Sequence, residues 1–284
     1  MGWPVEQVTV HSTVARDLDR IRRDLAPGRL LLVHRRGHPA ELARTLTAAG
    51  YGPSEVTVLT SLGGTSERRT GGIAQKWSAQ PGWPLNVVAV RVVAAPDSRV
   101  LSPMPGLPDD AYDHDGALTK RETRAMALSR LAPIRGERLW DVGAGCRSVG
   151  IEWLRADPIT SAIAIEGRPG RVDRNARTLG VPQLRIVRGA APDALAGLPA
   201  PDAVFVGGGL TAPDLFAAVW GALRPGGRPV AHAVTPEGEQ ELVDQAARHG
   251  GDLTRLAVDR AAPLGAFTGW QPARPLVQWA VTRP

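Results

Sequence analysis

The feature that most restricts the fold is a regular alternation in the later part of the chain. From Thr119 onward, short apolar runs of strand length take turns with stretches of helical period. Strands are expected at 138–142, 161–166, 184–188, 203–206, 228–233, 252–258 and 276–281, and helices at 119–131, 148–156, 169–179, 212–223 and 236–249. Runs this short and this apolar call for burial on both faces, hence a mostly parallel α/β sheet with helices on each side. In such sheets a ligand lies beyond the carboxyl ends of the strands, where the strand order reverses. Upstream, residues 5–12, 29–34, 56–59 and 85–93 read as strands and 15–25, 39–50 and 70–77 as helices, a smaller α/β segment. The stretch 94–117 is rich in Pro, Asp and Gly and has no sustained period. The expected organisation is therefore 1–94, a linker at 95–117, and a second domain at 118–284.

Composition removes several classes of function. A single cysteine, Cys146, excludes an intramolecular disulfide framework and a Cys-cluster zinc site, and the six histidines have no metal-ligand spacing. No apolar run approaches the ~20 residues of a membrane span, and the N-terminus lacks a basic start followed by an apolar core. A cytoplasmic protein without a membrane partner is expected. Basic residues exceed acidic ones in the first third only: 13 against 8 over residues 1–104, and 21 against 20 thereafter. The excess reads as a solvated arginine surface. No interleaved aromatics or recognition-helix pattern point to nucleic acid.

The segment that carries chemistry is LWDVGAGCRSVGIEW (139–153), an apolar strand followed by a glycine turn and a helix. Glycines let the backbone approach a ligand closely, and the helix start presents N–H groups. Nicotinamide and flavin folds share that much. Three details narrow it. Asp141 precedes Gly143, where a pyrophosphate would be repelled but a cationic amine and sulfonium favoured. Ser148 occupies the sixth position, so G-x-G-x-x-G fails. Glu166 closes the next strand, 23 residues after Gly143, where a carboxylate can accept from two ribose hydroxyls. Thr119-Lys-Arg-Glu122 also has the form of a capping box at a helix start.

Together these features resemble the class I S-adenosylmethionine-dependent methyltransferases, with a Rossmann-like seven-stranded sheet. Residues 105–284 resemble, more narrowly, the decarboxylating precorrin methyltransferases of cobalamin synthesis. The likeness runs through PGLPDDAYDHDGALTKRE (105–122), the 139–153 segment, AIEGRPGRVDRNARTLG (164–180), GAAPDAL (189–195), DAVFVGGGL (202–210), LRPGGRPVAHAVT (223–235) and PLGAFTGWQPARPLVQWAV (263–281). Residues 3–93 resemble the second half of a tetrapyrrole methylase module, through LGGTSERRT (62–70) and LNVVAVRV (85–92). On that comparison the chain is expected to begin midway through the module and to lack the module's own methylation site at C5.

The resemblance implies S-adenosylmethionine as methyl donor, held by Thr119, Gly143, Ala144, Gly145, Cys146, Arg147, Glu166 and Ala191. It implies an anionic tetrapyrrole as substrate, facing Gly207 and Gly208, and a homo-oligomer. Arg147 stands where the family usually has glycine, beside the expected cofactor. Arg121, Arg124 and Arg147 are candidates for substrate carboxylates. His232 is expected to be a hydrogen-bonded rather than an acid/base histidine, and Cys146 a small loop residue rather than a nucleophile. No catalytic residue is singled out. The alternatives are a degenerate, non-catalytic module and a methyltransferase for another small molecule.

Overall fold

A computed structural model describes residues 2–36, 39–78, 85–167 and 172–284. They form two units, residues 1–103 with 177–182 and residues 104–176 with 183–284.

The first unit holds β1 (Val8–Ser12), β2 (Leu30–Arg36), α1 (Pro39–Ala48), β3 (Glu55–Thr60), β4 (Arg68–Ile73) and β5 (Leu85–Arg91). The sheet order is β1-β2-β5-β3-β4, parallel only between β1 and β2. Leu31, Val33, Val88 and Val90 pack with Leu42 and Leu46 of α1 in its core. Two elements differ from expectation. The segment 15–25 is a 3-10 helix at Leu18–Asp24, opened by Asp17 accepting from the Asp19 N–H. The i, i+3 spacing of its buried Leu18 and Ile21 suits three residues per turn. The segment 70–77 is not helical but the end of β4 followed by a 3-10 turn at Ala74–Lys76. Gly71 and Gly72 each cost about 1 kcal/mol in a helix, whereas here they pair with Thr57 and Val56 of β3.

The second unit contains α2 (Arg121–Leu131), β6 (Arg138–Val142), α3 (Ser148–Ala156), β7 (Ser161–Glu166), α4 (Val172–Thr178), β8 (Arg185–Arg188), β9 (Ala203–Val206), α5 (Leu215–Ala222), β10 (Arg228–Ala233), α6 (Pro236–His249), β11 (Asp252–Leu256), β12 (Asp259–Leu264), β13 (Phe267–Pro272) and β14 (Leu276–Ala280). Residues 169–171 of the helix expected at 169–179 lie outside the described residues. Seven strands form one sheet in the order β11-β14-β10-β9-β6-β7-β8. It is parallel from β8 to β10, and β14 is antiparallel to both β10 and β11. Successive strands β6, β7 and β8 step to one side and β9 and β10 to the other, so the order reverses between β6 and β9. Alternation along β6 sends Trp140 and Val142 to the face covered by Leu215, Phe216, Val219 and Leu242 of α5 and α6. Asp141 points to the opposite face, where its Oδ2 accepts from the Gly150 N–H of α3 at 2.9 Å.

Residues 104–117 of the expected linker, more than half of it, belong to this unit. They pack through buried Leu107 and Tyr112. Glu152 of α3, itself buried, accepts from the N–H groups of Gly106 (2.6 Å) and Leu107 (3.0 Å), from the Tyr112 hydroxyl (2.8 Å) and from Arg124 Nε (2.6 Å). The Arg124 guanidinium, fully buried, also donates to the carbonyls of Leu107 and Thr119 and to Asp109. A buried ion pair saturated with hydrogen bonds thus ties a strap, residues 104–119, across α2 and α3.

The β12–β13 hairpin, unforeseen in the sequence, turns at Gly265, whose φ is +61°. Pro263, Pro272 and Gly269 interrupt the alternation that marks a strand, and proline is tolerated there because the ribbon has open edges.

Candidate functional site

A cavity of about 1120 Å³ opens at the carboxyl ends of the central strands, wholly within the second unit. Its floor is the point where the strand order reverses. The Gly143 and Ala144 N–H groups donate to the Ile165 carbonyl (3.0 and 3.2 Å), and the Gly207 N–H donates to the Val142 carbonyl (2.9 Å). These bonds extend the ladder past the strand ends and bring two glycine turns together. A Cβ on Gly143, whose φ is +67°, would lie 2.7 Å from Gly208 N and 2.9 Å from its Cα and O. A Cβ on Gly145 would lie 3.0 Å from the carbonyl oxygen of Ala117, in the strap. The turn is therefore fitted against backbone on two sides.

Above this floor, Glu166 Oε2 accepts from the Gly145 N–H at 2.7 Å, which sets the carboxylate over the turn. The strap is pinned by Asn175 of α4: its Oδ1 accepts from the Asp113 N–H (2.8 Å) and its Nδ2 donates to the Asp113 carbonyl (2.9 Å). Of the expected cofactor residues, Thr119, Gly143, Ala144, Gly145, Cys146, Glu166 and Ala191 all line the cavity, as do the expected substrate-facing Gly207 and Gly208.

Several expectations are corrected. Arg147 is not among the lining residues; its side chain is buried and the residue adopts a left-handed conformation with φ +64°. Its charge acts on Asp141, favouring the ionised carboxylate, while burial pushes the Asp141 pKa up to about 7. Asp141 itself lies under α3 and away from the cavity, so it does not meet a cationic donor there. The N–H groups of Gly143, Ala144, Gly145 and Arg147 are all committed within the protein, the last to the Ala144 carbonyl at 2.6 Å. The turn offers shape more than hydrogen-bond donors.

The capping box does not form. Helix α2 starts at Arg121, with Lys120 as an N-cap that makes no side-chain bond, and Glu122 pairs with Arg260 of β12. The Thr119 carbonyl is instead taken by the buried Arg124, which holds Thr119 outside the helix. Arg124 is thereby consumed in the interior, and Arg121 does not reach the cavity. Among the described residues, the Lys and Arg side chains that line it are Lys120, Arg260 and Arg274.

His232 ends β10 at the cavity wall, buried, with Nε2 2.9 Å from Gln278 Oε1 and its ring edge-on to Phe205. Burial lowers its pKa to about 4, so it is neutral near pH 7. Burial likewise raises the Cys146 thiol, which makes it a poor nucleophile. Among the described residues no group of three His, Cys, Asp or Glu side chains is placed to hold a metal ion. Glu152 and Asn175 escaped the sequence reading because their partners lie 28 or more residues away.

Comparison with known proteins decides the family. The precorrin methyltransferase domain matches residues 110–283. The chain belongs to the precorrin methyltransferase family. A precorrin-6Y C(5,15)-methyltransferase [decarboxylating] from a Sinorhizobium species is 46% identical over 288 residues, a match that spans all of this chain and 70% of that protein. The cobalt-precorrin-6B C(15)-methyltransferase (decarboxylating) of Salmonella typhimurium is 35% identical over 168 residues, 56% of this chain and 85% of that one. Among solved structures, the C-terminal domain of the Rhodobacter capsulatus precorrin-6Y C5,15-methyltransferase superposes with a TM-score of 0.61 at 47% identity, covering 64% of this chain and 100% of that domain. The seven-stranded Rossmann-like sheet of this family member is the methyltransferase fold expected from its sequence.

Proposed function

We propose that this chain transfers a methyl group from S-adenosylmethionine to C15 of a precorrin macrocycle and releases the C12 acetate carboxyl as carbon dioxide. The observation that carries the reading is the meeting of Gly143 and Gly208 beneath Glu166, at the reversal of strand order. A Cβ at Gly143 would meet the Gly208 backbone, so the bare turn lets the ends of β6 and β9 close against each other and form the floor on which a ligand would sit.

When bound, the donor supplies an electrophilic methyl group on a sulfonium. Gly143 to Cys146 and Thr119 would hold its amino-acid part, Glu166 its ribose hydroxyls and Ala191 its adenine. The side-chain-free stretch Gly207 to Gly209 leaves room for a broad macrocycle beside the transferring carbon. The chain's contribution is placement: holding donor and acceptor at attack distance supplies on the order of 7–11 kcal/mol of rate acceleration. The neutral His232 and the buried Cys146 leave this wall uncharged, and decarboxylation itself provides the electron pair for attack. The interior position of Arg147 removes that residue as a ground for reading the module as non-catalytic.

The test pairs two measurements. Titration calorimetry with S-adenosylhomocysteine is expected to show binding that Glu166→Ala weakens at least tenfold. Incubation of the chain with a precorrin and labelled S-adenosylmethionine is expected to yield methylated product and carbon dioxide in equal amounts. Unaltered binding by Glu166→Ala, or turnover of an unrelated acceptor alone, overturns the proposal.

A further inference from the structure

The charges on the cavity wall are sorted by element. The strap and the start of α2 present three acids, Asp113, Asp115 and Glu122, and one cation, Lys120, and Glu166 stands on the same side as the glycine turn. The wall formed by the β12–β13 hairpin and its flanks presents only cations and small or apolar groups: Arg260 and Arg274 with Val258 and Ala273. Among the described residues, an ion pair crosses from wall to wall, Arg260 Nη2 to Glu122 Oε2, with the two side chains 43% and 47% exposed. The partners come from different elements, and both reach solvent at the mouth, so neither is buried by the bond.

We propose that the hairpin wall is the carboxylate-binding side of the acceptor site, and that Arg260 is held ready by Glu122 until a substrate carboxylate takes its place. The inference rests on the tetrapyrrole reading above and deepens it. A polycarboxylate acceptor is matched by the wall that presents only cations and uncharged groups. A guanidinium binds a carboxylate with two parallel N–H donors, so one anionic arm can substitute for Glu122 without leaving Arg260 unpaired. The exchange carries little penalty because both states keep one ion pair in a hydrated setting. Arg274, on the segment returning from the hairpin, offers a second position for another arm. Register places Leu264, Phe267 and Gln271 on the same face of the hairpin as Arg260. Leu264 and Phe267 are exposed, an apolar continuation of the wall that suits the rim of a macrocycle.

The test is fluorescence titration of the full chain with uroporphyrin, a tetrapyrrole polycarboxylate, in parallel with calorimetry of S-adenosylhomocysteine. Arg260→Ala and Arg274→Ala are each expected to weaken uroporphyrin binding about tenfold. Glu122→Gln is expected to tighten it severalfold, because the competing carboxylate is gone. S-adenosylhomocysteine binding stays within twofold in all three, and a thermal melt of each confirms the fold. The opposite signs of the two partners distinguish competition from a structural role, in which both substitutions would weaken binding. Weakening by Glu122→Gln, indifference to Arg260→Ala, or no binding of uroporphyrin by a chain that binds S-adenosylhomocysteine overturns the proposal. Failure to bind S-adenosylhomocysteine at all overturns instead the methyltransferase reading on which it rests.

Discussion

Replacing Gly143 by alanine tests the floor of the site with a single methyl group. Two costs add. A residue with a Cβ pays about 1–2 kcal/mol in the left-handed region that Gly143 occupies. The new Cβ also meets three backbone atoms of Gly208 at 2.7–2.9 Å, where ordinary contact begins near 3.4 Å, so the two turns must part by roughly 0.7 Å. Backbone cannot rotate out of the way, and overpacking of this kind costs about 1–3 kcal/mol. The sum is about 2–5 kcal/mol, divided between fold and ligand. If the turns hold their places the protein melts earlier, by at least about 4 °C for a domain of this size. If they separate, the cleft loses its shape and S-adenosylhomocysteine binds up to roughly 30-fold more weakly for each 2 kcal/mol. Calorimetric melting and titration on the same sample capture both shares. Gly209→Ala is the control, since Gly209 has φ +76° but open space where its Cβ would stand. A Gly143→Ala protein that melts within 1 °C of the parent and binds within twofold would refute the argument, as would a Gly209→Ala protein that suffers equally.

Glu152→Gln leaves the buried Arg124 with a weakened partner, and loss of such a pair costs about 3–5 kcal/mol; the melting temperature is expected to fall by roughly 6–20 °C, and a drop under 2 °C would contradict the role given to the strap. Arg147→Gly relieves left-handed strain and leaves the cavity wall untouched, so S-adenosylhomocysteine affinity should stay within threefold; a tenfold change in calorimetry would place that side chain in the site after all. Asp141 has its folded pKa raised to about 7 from an unfolded value near 4, so it binds more protons in the folded state, and its contribution is full below about pH 4 and is lost as pH rises through 7. Asp141→Asn should flatten that component of stability, on the order of a few kcal/mol, in denaturant titrations from pH 4 to 8; an unchanged slope would refute it.

The β6–turn–α3 segment was legible because each of its determinants is local: an apolar strand, glycines at forced turns, and an acid closing the next strand. The sheet followed from the same regularity. What escaped depends on partners distant in sequence. The strap reads as linker until Glu152 gathers Gly106, Leu107 and Tyr112. Thr119 and Glu122 match a capping box until Arg124 and Arg260 claim them. Arg147 beside a glycine turn reads as a ligand contact, yet its side chain is buried and its charge acts on Asp141. The basic wall stayed hidden because prolines and glycines disguise the hairpin that carries it.

The touching of Gly143 and Gly208 has a consequence for how such an enzyme can be remade. Backbone atoms form that junction, so a side chain can be added there only by forcing the turns apart, and an alteration on one turn obliges a matching one on the other. Variation is channelled to the ribbon at the rim, where an engineer seeking a new acceptor should cut first.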